Sequence, residues 1–570
     1  MERLFSTNTI NLDQRKIAYF SMEIGLNAKI PTYSGGLGIL AGDTLKSCAD
    51  QHVPTVAITL VSRKGYFHQR INEEGYQIED DVSWSLDDFL ELQDKIISVY
   101  IEGREVKVQA WKYNIKGVKG FHVPIIYLDT DVEGNSDEDR RITDKLYGPG
   151  QDYRLKQEIV LGIGGIRMIE ALGYSNIQVY HMNEGHSSLL TIELLKRTEN
   201  HDEPDHSKKF DKALVRKKCV FTTHTPVPAG HDQFDMELVR RLLGDYVPCI
   251  DEFCHEDKLN MTLIGLKLSH YINGVAKRHG EVSRDMFPGY SIDSITNGVH
   301  STTWAGPSFK DLFDKQIPGW RCDPYSLRYA LRISKADIWE THMLEKRRIL
   351  DYVNEKYNVG MDKDILTIGF ARRATSYKRP NLLFHDMNRL WSIANELGPI
   401  QIIFGGKAHP NDGEGKNLIK QIVELSRHSN DRLKIVYIEN YDIYKAKLMV
   451  AGVDVWLNTP LRPREASGTS GMKASVNGIL NFSVLDGWWL EGHVEDVTGW
   501  SIGPKKKNEE SSNEQDADEL YRKLREKIVP RYYDDKDNWI RMMRHTIAFN
   551  ASFFNTNRMI QQYILNAYFN

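Results

Sequence analysis

Lys473 ends the run EASGTSGMK, within a segment from Asn458 to Gly478 that reads NTPLRPREASGTSGMKASVNG. Small residues at Ser467, Gly468, Thr469, Ser470 and Gly471 leave backbone N–H groups open at a helix expected to start near Ser470, where an anion is favoured. A lysine at the end of such a loop, stripped of water, loses its proton and can form an imine with an aldehyde. The same spacing also suits a Gly/Ser loop with a surface lysine. A second run, GFARRATSYKRP (Gly369 to Pro380), sets Arg372, Arg373, Lys378 and Arg379 around Tyr377 at the end of an expected strand. Four cations there can bind two phosphates, with arginine supplying a bidentate grip; a solvated basic turn is the plainer reading. A third run, PTYSGGLGILAGDTL (Pro31 to Leu45), has Gly36 and Gly38 followed by Gly42. As a dinucleotide fingerprint it is weak, because its third glycine lies one place too far along. A glycine turn opening a helix still presents N–H donors to an anion.

Two histidine segments, HMNEGHSS (from His181) and FTTHTPVPAGHDQF (from Phe221), each follow a strand. His181, Glu184 and His186 make a poor zinc trio, since they occupy a strand end and loop instead of one helix face. Cys249, Cys254 and His255 lack a second ligand pair at zinc spacing. GIGG, from Gly162, sits inside a helical run and reads as a packing device.

These segments must be positioned by the elements around them. Short apolar runs alternate with helical patterns, the mark of parallel α/β layers. IAYFSMEIG, TVAITLVS, HVPIIYLDT, IQVYHMNE and KCVFTTHT read as strands in the first half, with helices over Arg154 to Leu172 and Ser187 to Arg197. The pattern restarts with ILTIGFARR, IQIIFGGKA, LKIVYIEN, VDVWLNTP and LNFSVLDG, and with a helix in PNLLFHDMNRLWSIANELG. Two doubly wound Rossmann-like domains are expected, 1–297 and 298–540, hinged near TNGVHSTTWAGP. A helical segment, 541–570, is expected to cross back to the first. In such sheets ligands bind beyond the carboxyl ends of strands, which puts the site in the interdomain cleft.

At 570 residues, one core is not enough. Hydrophobic residues at 41%, charged residues at 27% and a net charge of −4 describe an ordinary globular enzyme with no global basic field for nucleic acid or anionic membrane. No signal peptide or membrane-length apolar run appears. Five scattered cysteines (Cys48, Cys219, Cys249, Cys254, Cys322) suit a reducing cytoplasm. ENHDEPDHSKK and KKKNEESSNEQDADE read as solvated loops.

EASGTSGMKASVNG resembles the cofactor segment of the α-glucan (glycogen, starch and maltodextrin) phosphorylases, in which the lysine after Gly-Met or Asn-Met holds pyridoxal 5′-phosphate. The resemblance runs from Lys16 to Gly503, with motifs in order, and is weaker between Arg70 and Gly150. It implies a GT-B fold and a retaining phosphorolysis of terminal α-1,4-linked glucose to α-glucose 1-phosphate. Lys473 would tether the cofactor, with Thr469, Ser470, Gly471 and Tyr441 beside it and Arg372 near its phosphate. Arg373 and Lys378 would grip inorganic phosphate under the Gly36 N–H. His224, Asn297, Glu184, Tyr377, Glu465, Ser467 and Gly468 would meet the sugar, with the His224 carbonyl facing a developing oxocarbenium ion. The cofactor would act through its 5′-phosphate, exchanging a proton with substrate phosphate, so no pair of protein carboxylates is needed. No metal is called for. A homodimer acting on α-glucan or maltodextrin is expected.

Two alternatives share the architecture: a nucleotide-sugar glucosyltransferase such as a glycogen synthase, and a non-catalytic glucan-binding protein. There are also departures from the family pattern. Arginine stands at position 372 where lysine is commoner, and Ile24 and Gly25 replace aromatics. The loop Leu146 to Glu158 is shorter, with no counterpart of a glucose-binding asparagine. The chain starts almost directly at IAYFSMEIG, which implies a short form without allosteric control.

Overall fold

The computed structural model describes residues 15–205, 208–227, 230–504 and 511–569. The N-terminal stretch to residue 14, positions 228–229 of the histidine loop, and parts of both charged loops (206–207 and 505–510) lie outside the described residues.

Nine strands form the first sheet, in the order Asp293–Ser294, Tyr271–Gly274, Cys219–Thr222, Val179–Asn183, Ile17–Phe20, Thr55–Leu60, His122–Asp129, Arg104–Lys116 and Glu91–Ile101. All pairs are parallel as far as His122–Asp129, and the last two strands are antiparallel. Ile17–Phe20 and Thr55–Leu60 are buried at every position, as expected of parallel strands covered on both faces. Alternation divides their side chains between two cores: Ala18, Phe20, Val56 and Ile58 on one face, Ile17, Tyr19 and Ala57 on the other. The antiparallel hairpin escaped the sequence reading because its strands alternate polar and apolar residues around Glu102 and Gly103, both in the left-handed region.

The second sheet is wholly parallel, in the order Leu433–Ile438, Ile400–Gly405, Leu366–Ala371, Val455–Asn458, Leu480–Val484 and Gly499–Ile502. The chain starts mid-sheet, steps to one edge, then crosses to the other side of its starting strand. The reversal point, between Leu366–Ala371 and Val455–Asn458, is where doubly wound sheets open a crevice. In the first sheet the same reversal falls between Ile17–Phe20 and Val179–Asn183.

The helix expected over Arg154 to Leu172 is broken by a π-helical turn at Val160–Gly164 between Gln151–Ile159 and Gly165–Ala171. Its glycines serve close packing: a Cβ on Gly162 would lie 2.6 Å from the Leu190 backbone nitrogen, and one on Gly165 2.6 Å from the Phe20 ring. Met387–Glu396 is a helix capped by Asp386, whose carboxylate accepts from the Arg389 N–H at 3.1 Å.

Two crossings join the halves side by side. Val299 pairs with Asn555 as a parallel bridge, and a Cβ on Gly298 would sit 2.3 Å from the Asn555 carbonyl carbon. Beyond it, helix Thr556–Tyr563 lies on helix Gly36–Asp50, with Ser47 and Thr556 hydroxyls 2.6 Å apart. A third contact is the hairpin His68–Ile71 and Gln77–Asp80, whose Gln69 and Gln77 donate to the Gly406 and Ala408 carbonyls at 3.1 and 2.9 Å.

Under the second sheet, Lys346 and His342 of helix Lys335–Tyr357 both pair with Asp454, and all three are buried. Asp454→Asn should therefore lower unfolding stability by about 3–5 kcal/mol, because Lys346 is left buried without its counter-charge. Urea denaturation checks this, and a change below about 1 kcal/mol would contradict it.

Candidate active site

Both sheet reversals feed one cleft. From the second sheet, Arg372 directly follows Leu366–Ala371, and the loop to Glu465 follows Val455–Asn458. Arg372 meets the Asn458 side chain, and its Nη1 lies 2.5 Å from Glu465 Oε2. Lys378 Nζ lies 2.7 Å from the same oxygen and 4.5 Å from the Tyr377 ring centroid. Burial alone would raise the Glu465 carboxyl, but Arg372 and Lys378 outweigh it and hold it at about 2. Asp486 accepts from the Glu465 N–H at 2.9 Å, and burial, reinforced by Glu465, pushes its carboxyl up to about 7.

The four cations do not act together. Arg379 turns away to the Thr459 and Pro460 carbonyls at 2.9 and 3.0 Å and to Asp516 at 2.5 Å, fastening the loop that carries Glu465. Arg373 is solvent-accessible inside the cleft, beside Tyr66, Glu23, Tyr147 and Tyr377, and makes no carboxylate ion pair among the described residues.

Lys473 lies in helix Ser470–Val476 and is buried. Its backbone N–H donates to the Thr469 carbonyl at 3.1 Å, while Ser470 Oγ accepts from the Trp456 indole N–H at 3.1 Å. A Cβ on Gly471 would sit 2.3 Å from Asn481 Oδ1, which explains the glycine. Lys473 Nζ stands 4.2 Å over the Trp304 ring, and Trp304 Nε1 donates to Asp43 at 2.6 Å. Burial lowers the ammonium to about 8; Asp43 opposes this, and Lys46 and Arg372 add to it. In the sequence Trp304 stands within the hinge stretch and Asp43 within the Gly-rich run, and neither carries a motif of its own. Tyr441 packs its ring against Gly405, where a Cβ would approach it to 2.9 Å.

The first sheet supplies the facing wall. Gly36 opens helix Gly36–Asp50, and its N–H has no acceptor among the described residues. Glu23 Oε2 accepts from Ser34 N–H at 2.5 Å and Gly35 N–H at 3.2 Å. A Cβ on Gly42 would lie 1.9 Å from the Gly25 carbonyl oxygen. A Cβ on Gly25 would itself lie 2.8 Å from Ile39 Cδ1 and 3.1 Å from the Tyr33 ring, which leaves no room for an aromatic at position 25.

Glu184 has φ +80° and accepts from His224 N–H at 2.7 Å, Thr225 hydroxyl at 2.9 Å and its neighbour Gly185 at 3.1 Å. His224 Nε2 pairs with Asn183 Oδ1 at 2.7 Å, and burial lowers the ring to about 3, so it is neutral with the proton on Nε2. Asn297 Oδ1 and Ser467 Oγ are buried without hydrogen-bond partners among the described residues, as groups awaiting a polar ligand would be. Gly468 has φ +81°, and a Cβ there would meet the Glu465 carboxyl at 3.2 Å. Both ring nitrogens of His181 are taken, by Tyr568 at 2.7 Å and Thr222 at 2.9 Å.

The sequence pattern of the carbohydrate phosphorylase family matches residues 247–498. The maltodextrin phosphorylase of Thermococcus litoralis is 40% identical over 98% of this chain and 71% of its own length. The glycogen phosphorylase of Aquifex aeolicus is 35% identical over 97% of this chain and 86% of its own. An uncharacterised protein of Methanocaldococcus jannaschii is 30% identical over 97% of this chain and 99% of its own.

Proposed function

Because the chain belongs to the carbohydrate phosphorylase family, and so to the glycosyltransferases of GT-B fold, we propose that it cleaves terminal α-1,4-linked glucose from an α-glucan or maltodextrin with inorganic phosphate. The product is α-D-glucose 1-phosphate, formed with retention. Homodimeric assembly and a cytoplasmic setting belong to the same reading. The observation that carries it is Lys473: a buried lysine whose ammonium is brought down to about 8, stacked on an indole and close to a cation-rich loop.

Those residues fit pyridoxal 5′-phosphate. A lysine neutral near pH 8 can hold an aldehyde covalently, and Trp304 and Tyr441 offer aromatic surface. Arg372, together with the loop N–H groups at Thr469 to Gly471, would receive its phosphate. When bound, the cofactor supplies a phosphate group that can exchange a proton with the substrate phosphate.

The remaining steps belong to the protein. Arg373 and Lys378 hold inorganic phosphate, with the Gly36 N–H above it. Two phosphate groups brought together repel unless cations neutralise them, so several cations are needed and one shared proton is retained between them. Glu465 pairs with Arg372 and Lys378 before ligands arrive, which keeps those buried cations from standing uncompensated. On phosphate binding it turns its free capacity to sugar hydroxyls, with Ser467 and Gly468. Neutral His224 keeps its Nε2–H on Asn183 Oδ1 and offers its other ring nitrogen, Nδ1, as an acceptor to the primary hydroxyl, and its carbonyl faces the positive charge developing at C1. Asn297 Oδ1 accepts from another hydroxyl, and Glu184 holds the His224 loop in place through its backbone N–H.

The experiment is maltodextrin with inorganic phosphate, following glucose 1-phosphate. Release that needs both substrates and the bound cofactor is expected. Protein that carries pyridoxal phosphate but yields no glucose 1-phosphate would sink the reading, and transfer from a nucleotide sugar instead would favour the glucosyltransferase.

A further inference from the structure

The short connection Leu146 to Gly150, which leads into helix Gln151–Ile159 on the sugar side, is connected to the Gly-rich loop through one side chain. Tyr147 has φ +55°, a conformation that a bulky residue keeps only where its surroundings hold it. Its hydroxyl donates to Glu23 Oε1 at 2.9 Å. Glu23 Oε2, the other oxygen of that carboxylate, accepts from the Ser34 and Gly35 N–H groups, immediately before Gly36. One buried carboxylate therefore sets both the Gly-rich loop and the position of Tyr147.

The ring of Tyr147 is tied in the other direction. Arg154 stacks on it, its guanidinium carbon 4.4 Å from the centroid, and His186 meets it edge-on at 5.8 Å. Arg154 pairs with Asp232 at 2.9 Å, and His186 Nε2 lies 3.4 Å from the same residue. Asp232 belongs to the stretch that carries His224, and His186 to the turn that carries Glu184. Arg373 lies beside both Glu23 and Tyr147. A phosphate on Arg373 takes up the positive charge that now attracts the Glu23 carboxylate. The hydroxyl bond to Glu23 then becomes the loop's main anchor on the phosphate side.

We propose, building on the phosphorylase reading, that Tyr147 is a positioning residue that couples glucan binding to phosphate binding. It passes the state of the phosphate side, through Glu23, to Arg154, Asp232 and His186 on the glucan side. Each ligand should then raise affinity for the other by the same factor, as linkage requires.

The test compares the holoenzyme with Tyr147→Phe, which keeps the ring stack and removes only the hydroxyl. Maltodextrin affinity is measured by calorimetry with and without saturating sulfate, a tetrahedral anion that occupies the place of phosphate without being consumed. The wild type should bind about fivefold or more tightly with the anion. In Tyr147→Phe that ratio should fall to about one, with cofactor absorbance unchanged. Glu23→Gln, which weakens the same hinge point from the other side, should also reduce it. A wild-type ratio of one, or an unchanged ratio in Tyr147→Phe, overturns the proposal. Because calorimetry needs no turnover, a protein that binds both ligands but releases no glucose 1-phosphate defeats the functional reading while still deciding this one.

Discussion

Lys473→Ala purifies without pyridoxal phosphate and releases no glucose 1-phosphate above background, a loss of at least about 10³-fold in rate. The side chain is buried, its ammonium faces the Trp304 ring, and no other lysine occupies the loop from Leu461 to Val476. The substitution also removes a desolvated cation. Lowering a lysine from 10.5 to about 8 costs the charged folded form about 3 kcal/mol. The sign follows from linkage. The folded protein holds this proton less tightly than the unfolded chain, so the cost is fully present below pH 8 and is relieved as pH rises from 8 towards 10.5. Below pH 8, apo Lys473→Ala should therefore fold at least as well as apo wild type, and loss of cofactor is not loss of structure. The same shift sets how the cofactor enters. Only the neutral amine attacks an aldehyde, so loading of apoprotein should accelerate as pH rises through about 8, well before an ordinary lysine would respond. Retained absorbance in the variant after exhaustive dialysis would refute the assignment, as would a loading midpoint near 10.5.

Arg373→Ala is expected to keep the cofactor and lose phosphate. Its kcat/KM for phosphate should fall by about 2–4 kcal/mol, roughly 30- to 1000-fold, with near-ultraviolet cofactor absorbance unchanged. The size of the effect follows from which cation is already neutralised. Arg372 and Lys378 share the Glu465 carboxylate, so an incoming phosphate competes with a charge that is already bound. Arg373 has no such partner among the described residues and offers its full charge in the cleft. Arg379 differs again: it pairs with Asp516 and the Thr459 and Pro460 carbonyls, and its role is to brace the loop. If Arg373→Ala left phosphate KM and kcat within about threefold of wild type, phosphate would have to be held elsewhere.

Those contrasts show what a linear reading can reach. The parallel strands were legible because each is buried on both faces and must be written as a continuous apolar run. The outer hairpin at Glu91–Ile101 and Arg104–Lys116 was not, since one face meets solvent and the apolar signal halves. The basic run and the Gly/Ser loop stood out as local clusters. That Arg379 leaves the cluster and that Glu465 joins it could not be read from spacing, because Asp516 and Glu465 lie far from that run in sequence. Trp304 and Asp43 carried no motif of their own; packing of helix Gly36–Asp50 against the crossing segment brings them together, and packing also puts Trp304 under Lys473.

What the sequence determined by itself was therefore chemical and local: strand runs, helix starts, glycines where backbones meet, and a lysine and arginines at the ends of strands. Spacing along a chain governs those features, since they depend on periodicity and on neighbours a few residues away. Only the tertiary structure decided which of the cations are neutralised, which carboxylate bridges them, and that Lys473 gives up its proton near 8. Those are matters of charge separation and lost water. Both depend on distances across the cleft between residues that the chain order keeps apart.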